Sequence, residues 1–161
     1  MTTIPTTNVL SIVRELFTEA FEGANGPATW FVNNEPNCGI FGSIESLSAS
    51  DASRATIDGG RSLAAHVEHL RWWLANVNSV ARGGAWNPDW SGSWSVQIVS
   101  DDEWKTLRDA LRMEYQRVLD SLAEVNITPD DRMMLTGMMA MSAHAAHHLG
   151  TMRQIVKCLR T

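Results

Sequence analysis

Two cysteines, a single tyrosine and no cluster of basic residues leave this 161-residue chain without several of the usual signposts. Cys38 and Cys158 are too few for a disulfide scaffold and suit a reducing compartment. Thirteen Lys and Arg stand against eighteen Asp and Glu, a net charge of -5. That balance leaves no electrostatic footprint for nucleic acid. No apolar run reaches the ~20 residues that span a bilayer. Met1 to Asn8 carries neither the basic start nor the apolar stretch of a signal peptide. The sequence therefore reads as cytoplasmic, with no membrane and no nucleic acid as partner. Charged residues make up only 19%, too few for a self-repelling disordered chain. The 44% apolar content fits one globular domain over residues 1–161.

Strand alternation and internal repeats are scarce, and what is present is helical. Val9, Val13, Leu16, Phe17 and Ala20 recur at helical spacing, which predicts a helix from Asn8, as its cap, to Phe21, stopped by Gly23. Residues 22–60 are rich in Gly, Pro, Asn and Ser and read as a long crossover loop or lid, with a short helical turn at Ser43 to Leu47. A second helix, Ser62 to Ala81, has the stripe Leu63, Val67, Leu70, Leu74 and Val77 and ends at Gly83-Gly84. Ser100 to Glu103 has the form of a capping box, opening a third helix along Trp104, Leu107, Leu111, Val118 and Leu122. Thr128 as cap, Pro129 at the first position and two aspartates open the fourth. Its inward stripe is Met134, Met138, Met141, Ala145, His148, Met152 and Ile155. Four amphipathic helices with one long crossover make an all-α, antiparallel four-helix bundle.

All five histidines fall on two of these helices. His66 and His69 lie on the second, His144, His147 and His148 on the fourth. Residues four apart share a helix face, so His144 and His148 can present two imidazoles together. Three neutral imidazoles converging on one ion would make a divalent site, and the third must come from another helix. At about 100° per residue, His148 falls in the apolar stripe and His144 on its flank, while His147 points elsewhere. His66 lies nearer the middle of its stripe than His69, so spacing leaves the third ligand open and slightly favours His66. The competing reading is that buried histidines only bond to backbone carbonyls.

Gly59-Gly60-Arg61-Ser62-Leu63-Ala64-Ala65-His66-Val67-Glu68-His69-Leu70 resembles the second-helix signature of the DinB/YfiT-like superfamily. There a Ser or Thr precedes a ligand histidine by seven positions, the separation of Ser62 and His69. His144-Ala145-Ala146-His147-His148-Leu149-Gly150 is similar to the family's last-helix segment H-x-x-H-H-x-G. The resemblance implies an up-up-down-down bundle with His69, His144 and His148 as metal ligands, and His66 and His147 outside the first coordination shell. Thr151 departs from the Gln that many members carry after the glycine. The superfamily is mixed in function. It includes S-transferases that use a low-molecular-weight thiol (bacillithiol or mycothiol), a mycothiol-dependent maleylpyruvate isomerase, and bundles known only to bind metal. Homodimers are common in it.

With three protein ligands a coordination position stays open, which is a feature of catalytic sites. Zinc or nickel there would lower the pKa of a bound water or thiol. The first expectation is thus a metal-dependent enzyme of the thiol S-transferase kind acting on a small molecule. The second is a non-catalytic metal-binding or stress-response module, for which Glu114 is a candidate fourth ligand. The third is a structural helical dimer with inert histidines. A zincin protease is excluded because Ala145 stands where Glu is needed. A di-iron bundle lacks its Glu-x-x-His pairs, since Met141 and Ala145 precede His144 and His148 at that offset. Nothing around Cys38 in the sequence marks it as a nucleophile, and Cys158 is expected to pack as a small hydrophobe. Met133, Met134, Met138, Met139 and Met141 cover more than one face of their helix, which suits core filling and a homodimer face. Trp86, Trp90 and Trp94 crowd one loop. They read first as anchoring mass under a long connection and second as an aromatic wall facing a ligand.

Overall fold

The computed structural model describes residues 6–126, 128 and 131–160. Among them the chain is all-helical: α1 (Thr6–Glu22), α2 (Ile40–Glu45), α3 (Ala49–Ser53), α4 (Leu63–Ala81), a 3₁₀ turn (Gly92–Trp94), α5 (Asp101–Glu124) and α6 (Arg132–Leu159). The residues cluster into two compact units. One comprises residues 1–45 and 124–153, the other 46–123 and 154–161.

In the first unit α1 buries Val13, Phe17, Ala20 and Phe21 along one stripe. Phe21 meets Phe17 on its own helix at 4.9 Å and Phe41 of α2 at 5.4 Å between ring centroids. α1 begins at Thr6, so Asn8 lies inside the helix and is not its cap. The polar run Thr6-Thr7-Asn8 offers several near-equivalent starting points, and helix ends are poorly fixed by local chemistry. The stop at Gly23 is as the sequence predicts. Gly23 adopts φ +100, a left-handed conformation that ends a helix at little cost to glycine. The following loop is held by Glu19, whose buried Oε1 accepts the backbone N–H groups of Trp30, Phe31 and Val32 at 2.8, 2.7 and 3.1 Å. The loop then enters α2. A single turn at Ser43 to Leu47 is thus corrected to two short helices, α2 and α3, each too brief to show a stripe in the sequence.

In the second unit α4 is buried over most of its circumference, including Leu63, Val67, Leu70, Trp73 and Leu74. A helix apolar beyond one face belongs inside a core. Its start is determined locally. Ser62 Oγ accepts the N–H of Ala65 at 3.2 Å and donates to the carbonyl of Gln97 at 2.7 Å, so the cap also ties down the segment before α5. The capping box of α5 forms as predicted, with Ser100 N–H donating to Glu103 Oε2 at 2.8 Å and Glu103 N–H to Ser100 Oγ at 3.4 Å. All five stripe residues of α5 are buried, Trp104 also donating its indole N–H to the carbonyl of Leu47 at 2.9 Å.

The start of α6 lies further on than the sequence suggests. Thr128 N–H and Oγ1 both bond to Asp131 Oδ2, at 2.9 and 3.0 Å, and the helix proper opens at Arg132. Thr128 therefore does not cap the helix as expected, since its hydroxyl donates to Asp131 and the helix opens four residues on. Pro129 and Asp130 lie outside the described residues. Along α6 the inward stripe is buried from Met141 through Ala145, His148, Met152 and Ile155. Met134 is exposed and Met138 half-buried, so the first turns do not follow it.

Candidate metal centre

The two histidine-bearing helices present their rings differently. On α6 the i, i+4 spacing places His144 and His148 side by side, with ring centroids 4.7 Å apart and the two Nε2 atoms 2.9 Å apart. His148 is buried and His144 half-buried, in keeping with their predicted phases. Burial, aided by the nearby His147, lowers the pKa of His144 from 6.5 to about 4. The ring is therefore neutral at pH 7, the form that ligates a metal. His147 is exposed and meets His148 edge-on at 5.2 Å, as its helical phase requires.

On α4 both His66 and His69 are buried. His69 Nδ1 lies 2.8 Å from Ser93 Oγ in the 3₁₀ turn. Its ring stacks on Trp94 at 4.0 Å with 13° between planes, and on Trp72 at 6.3 Å with 22°. His66 meets Trp94 edge-on at 5.3 Å, and the Arg61 guanidinium lies 5.4 Å from the Trp94 ring. Among the described residues, His69, His144 and His148 form a group that could hold a metal ion, and His66 is not in it. The slight preference that spacing alone gave to His66 is not what this grouping favours.

The tryptophan-rich loop has the packing of the first reading offered by the sequence, anchoring mass under a long connection. Trp86, Trp90 and Trp72 pack on one another at 5.1–6.2 Å between centroids. Yet Trp86 and Trp90 remain 38% and 46% exposed, so the cluster anchors the loop and also shows aromatic surface to solvent. The loop is fixed by polar contacts with no periodic signature. Asn87 N–H donates to Asn76 Oδ1 at 2.8 Å, and Asp89 Oδ1 accepts from Ser91 Oγ and Gly92 N–H at 2.8 and 2.9 Å.

Other candidates fall away. Glu114 is buried, but its carboxylate is engaged by Asn78 Nδ2 at 2.7 Å and Arg117 Nη1 at 2.6 Å. It serves the α4–α5 contact and is not in the three-histidine group. Cys38 is buried and accepts the N–H of Ala24 at 3.4 Å. Cys158 is exposed, contrary to the expectation that it packs, because its position on α6 falls off the buried stripe of Met152, Ile155 and Val156. A groove of about 850 Å3 lies between Arg71, the segment Ser95 to Val99 and the first turns of α5. No histidine lines it.

Ser93 and Glu19 were missed in the sequence. Each acts on a partner too distant in the chain for periodicity to reveal, and only the dense turn residues around Asp89 and Gly92 hinted that this loop is ordered. No family model, no curated protein and no solved structure matches the chain.

Proposed function

We propose that this chain is a divalent-metal enzyme of the DinB/YfiT-like kind, in which His69, His144 and His148 hold zinc or nickel and the reaction is transfer of a low-molecular-weight thiol to a small electrophilic molecule. The observation that carries this reading is the pair of facing Nε2 atoms 2.9 Å apart on α6. Two nitrogens each about 2.1 Å from one ion stand about 3.0 Å apart at a right angle and about 3.4 Å apart in a tetrahedral site, so a small opening of this pair would admit either ion. The donor set fits the group on chemical grounds as well. Imidazole suits zinc and nickel, and the set contains no thioether or carboxylate to favour a softer or harder ion.

When bound, the ion would lower the pKa of a thiol or water at its open position and so supply a nucleophile near neutral pH. The chain's own residues do the rest. His144 stays neutral because burial disfavours its charged form, so protons do not compete for its lone pair at pH 7. Ser93 and Trp94 hold the His69 ring in one orientation. Trp90 lies 5.9 Å from the His69 ring, and the exposed parts of Trp86 and Trp90, tilted at 41° to each other, offer apolar surface suited to shielding a substrate from water.

The same reading includes an antiparallel up-up-down-down bundle as a single domain, a homodimer and a cytoplasmic location. The all-helical composition supports the first. Met133, Met134 and Met139 on α6, exposed to 89%, 46% and 58%, support the second, since adaptable thioether side chains suit a subunit contact. The two cysteines, neither of them in a disulfide, suit the third. No helix among the described residues is long and apolar enough to cross a membrane.

The test begins with elemental analysis of protein purified without an affinity tag. About one zinc or nickel per chain is expected, falling below a tenth in His148→Ala. The metal-loaded protein is then titrated with a small thiol after cobalt substitution. A thiol-induced change in the cobalt spectrum and conjugation of the thiol to an electrophile support the transferase. Stoichiometric metal without either leaves a metal-binding module, and no metal at all overturns the whole reading.

A further inference from the structure

We infer that Ser93 is a positioning residue that locks His69 in the tautomer carrying its proton on Nδ1, and that this is the role of the tryptophan-rich loop in building the site. The argument is a count of hydrogens. Ser93 Oγ lies 2.6 Å from the carbonyl oxygen of Trp90 and 2.8 Å from His69 Nδ1. A carbonyl has no hydrogen to give, so the hydrogen in the shorter contact belongs to Ser93. A hydroxyl has only one. Ser93 must therefore accept at its other contact, and the donor there is His69 Nδ1–H. A neutral imidazole bears one N–H, so Nε2 carries the lone pair. Nε2 is then the atom His69 presents as a ligand.

The lock is built from rigid parts. Ser93 is 0% exposed and His69 3%, so water does not compete at the contact. The Trp90 carbonyl that orients the hydroxyl is itself fixed. Trp90 N–H donates to the carbonyl of Pro88 at 2.8 Å, and the Asp89 carboxylate clasps Ser91 and Gly92 immediately before Ser93. A Cβ on Gly92 would meet that carboxylate and oblige it to shift. Trp94 stacked at 4.0 Å and 13° on the imidazole fixes the plane in which Nε2 points. A hydrogen bond to the remote ring nitrogen, which sets tautomer and orientation, is the usual outer-shell device of histidine metal sites, and its loss typically costs 10–100-fold in affinity.

The tautomer stands independently of the proposed function; only its consequence for metal binding rests on the three-histidine reading. Both are tested on one preparation. In metal-free protein labelled with ¹⁵N-histidine, long-range ¹H–¹⁵N correlation distinguishes the two neutral tautomers ring by ring. His69 is expected in the Nδ1–H form in the wild type and in a mixture enriched in Nε2–H in Ser93→Ala. A wild-type His69 protonated on Nε2, or a spectrum unmoved by Ser93→Ala, overturns the inference whether or not the protein binds metal. Zinc competition against a chelator then reads the consequence. Ser93→Ala should weaken binding 10–100-fold with stoichiometry retained, and Ser93→Thr, which keeps the hydroxyl, should recover most of it. Unchanged affinity in Ser93→Ala refutes the positioning role. A wild type that binds no zinc while showing the Nδ1–H form refutes the metal reading and leaves the lock standing.

Discussion

Protonation of His144 should make metal-free protein lose stability in a defined pH window. The ring's pKa in the folded chain is about 4, against 6.5 for an unperturbed histidine, chiefly because burial disfavours the cation and secondarily because His147 lies close. The folded value lies below the unfolded one, so in acid the unfolded chain takes up this proton before the folded chain does. The contribution of His144 is therefore fully present above about pH 6.5, declines as pH falls from there toward 4, and falls no further below that. A displacement of that size corresponds to roughly 3 kcal/mol. Because the ring is only partly buried, solvent screening reduces this to about 1–2 kcal/mol. The measurement is urea unfolding of metal-free protein at pH 7.5, 6.5, 5.5 and 4.5, alongside His144→Gln, which cannot titrate. The wild type should lose about 1–2 kcal/mol more than the variant across that range, and NMR titration should place the His144 midpoint well under 6. Parallel pH profiles for the two proteins, or a midpoint near 6.5, would refute the reasoning. His147→Ala should move the midpoint of His144 upward, by less than burial moves it down.

Two further outcomes test the packing within each unit. Glu19→Ala removes the acceptor for three consecutive N–H groups and should cost about 2–3 kcal/mol in denaturant unfolding, with faster hydrogen exchange confined first to Trp30, Phe31 and Val32; Glu19→Gln keeps an acceptor and should cost about half as much. Leu111, fully buried on α5, should cost about 2–5 kcal/mol when replaced by alanine; a loss under 1 kcal/mol, by thermal or denaturant unfolding, would mean that the α5 stripe does not form the core described.

What the sequence made legible, and what it hid, follows the range of the forces involved. The starts of α4 and α5 can be read because a cap is a contact between a side chain and a backbone group two or three residues away. Ser62 with Ala65, and Ser100 with Glu103, form as written in the chain. The pairing of His144 with His148 is legible for the same reason, since helical pitch alone brings them together. At Thr128 local chemistry placed the helix start too early, since the hydroxyl donates to Asp131 and α6 opens only at Arg132. The short helices α2 and α3 were opaque because neither completes two turns. Glu19 gave no sign because its three donors lie 11–13 residues away in an irregular loop.

The choice between His66 and His69 shows where local reasoning ends and what replaces it. Both sit on the buried side of α4, three residues apart, and phase slightly favours the wrong one for the group that forms. What distinguishes them is the loop 24 residues downstream. Ser93 bonds to His69, and Trp94 lies flat against it while meeting His66 only by an edge. A histidine whose far nitrogen is held and whose plane is clamped loses little orientational entropy on ligating an ion. In the proposed site, the α4 ligand is selected by the element that immobilises it rather than by the helix that carries it.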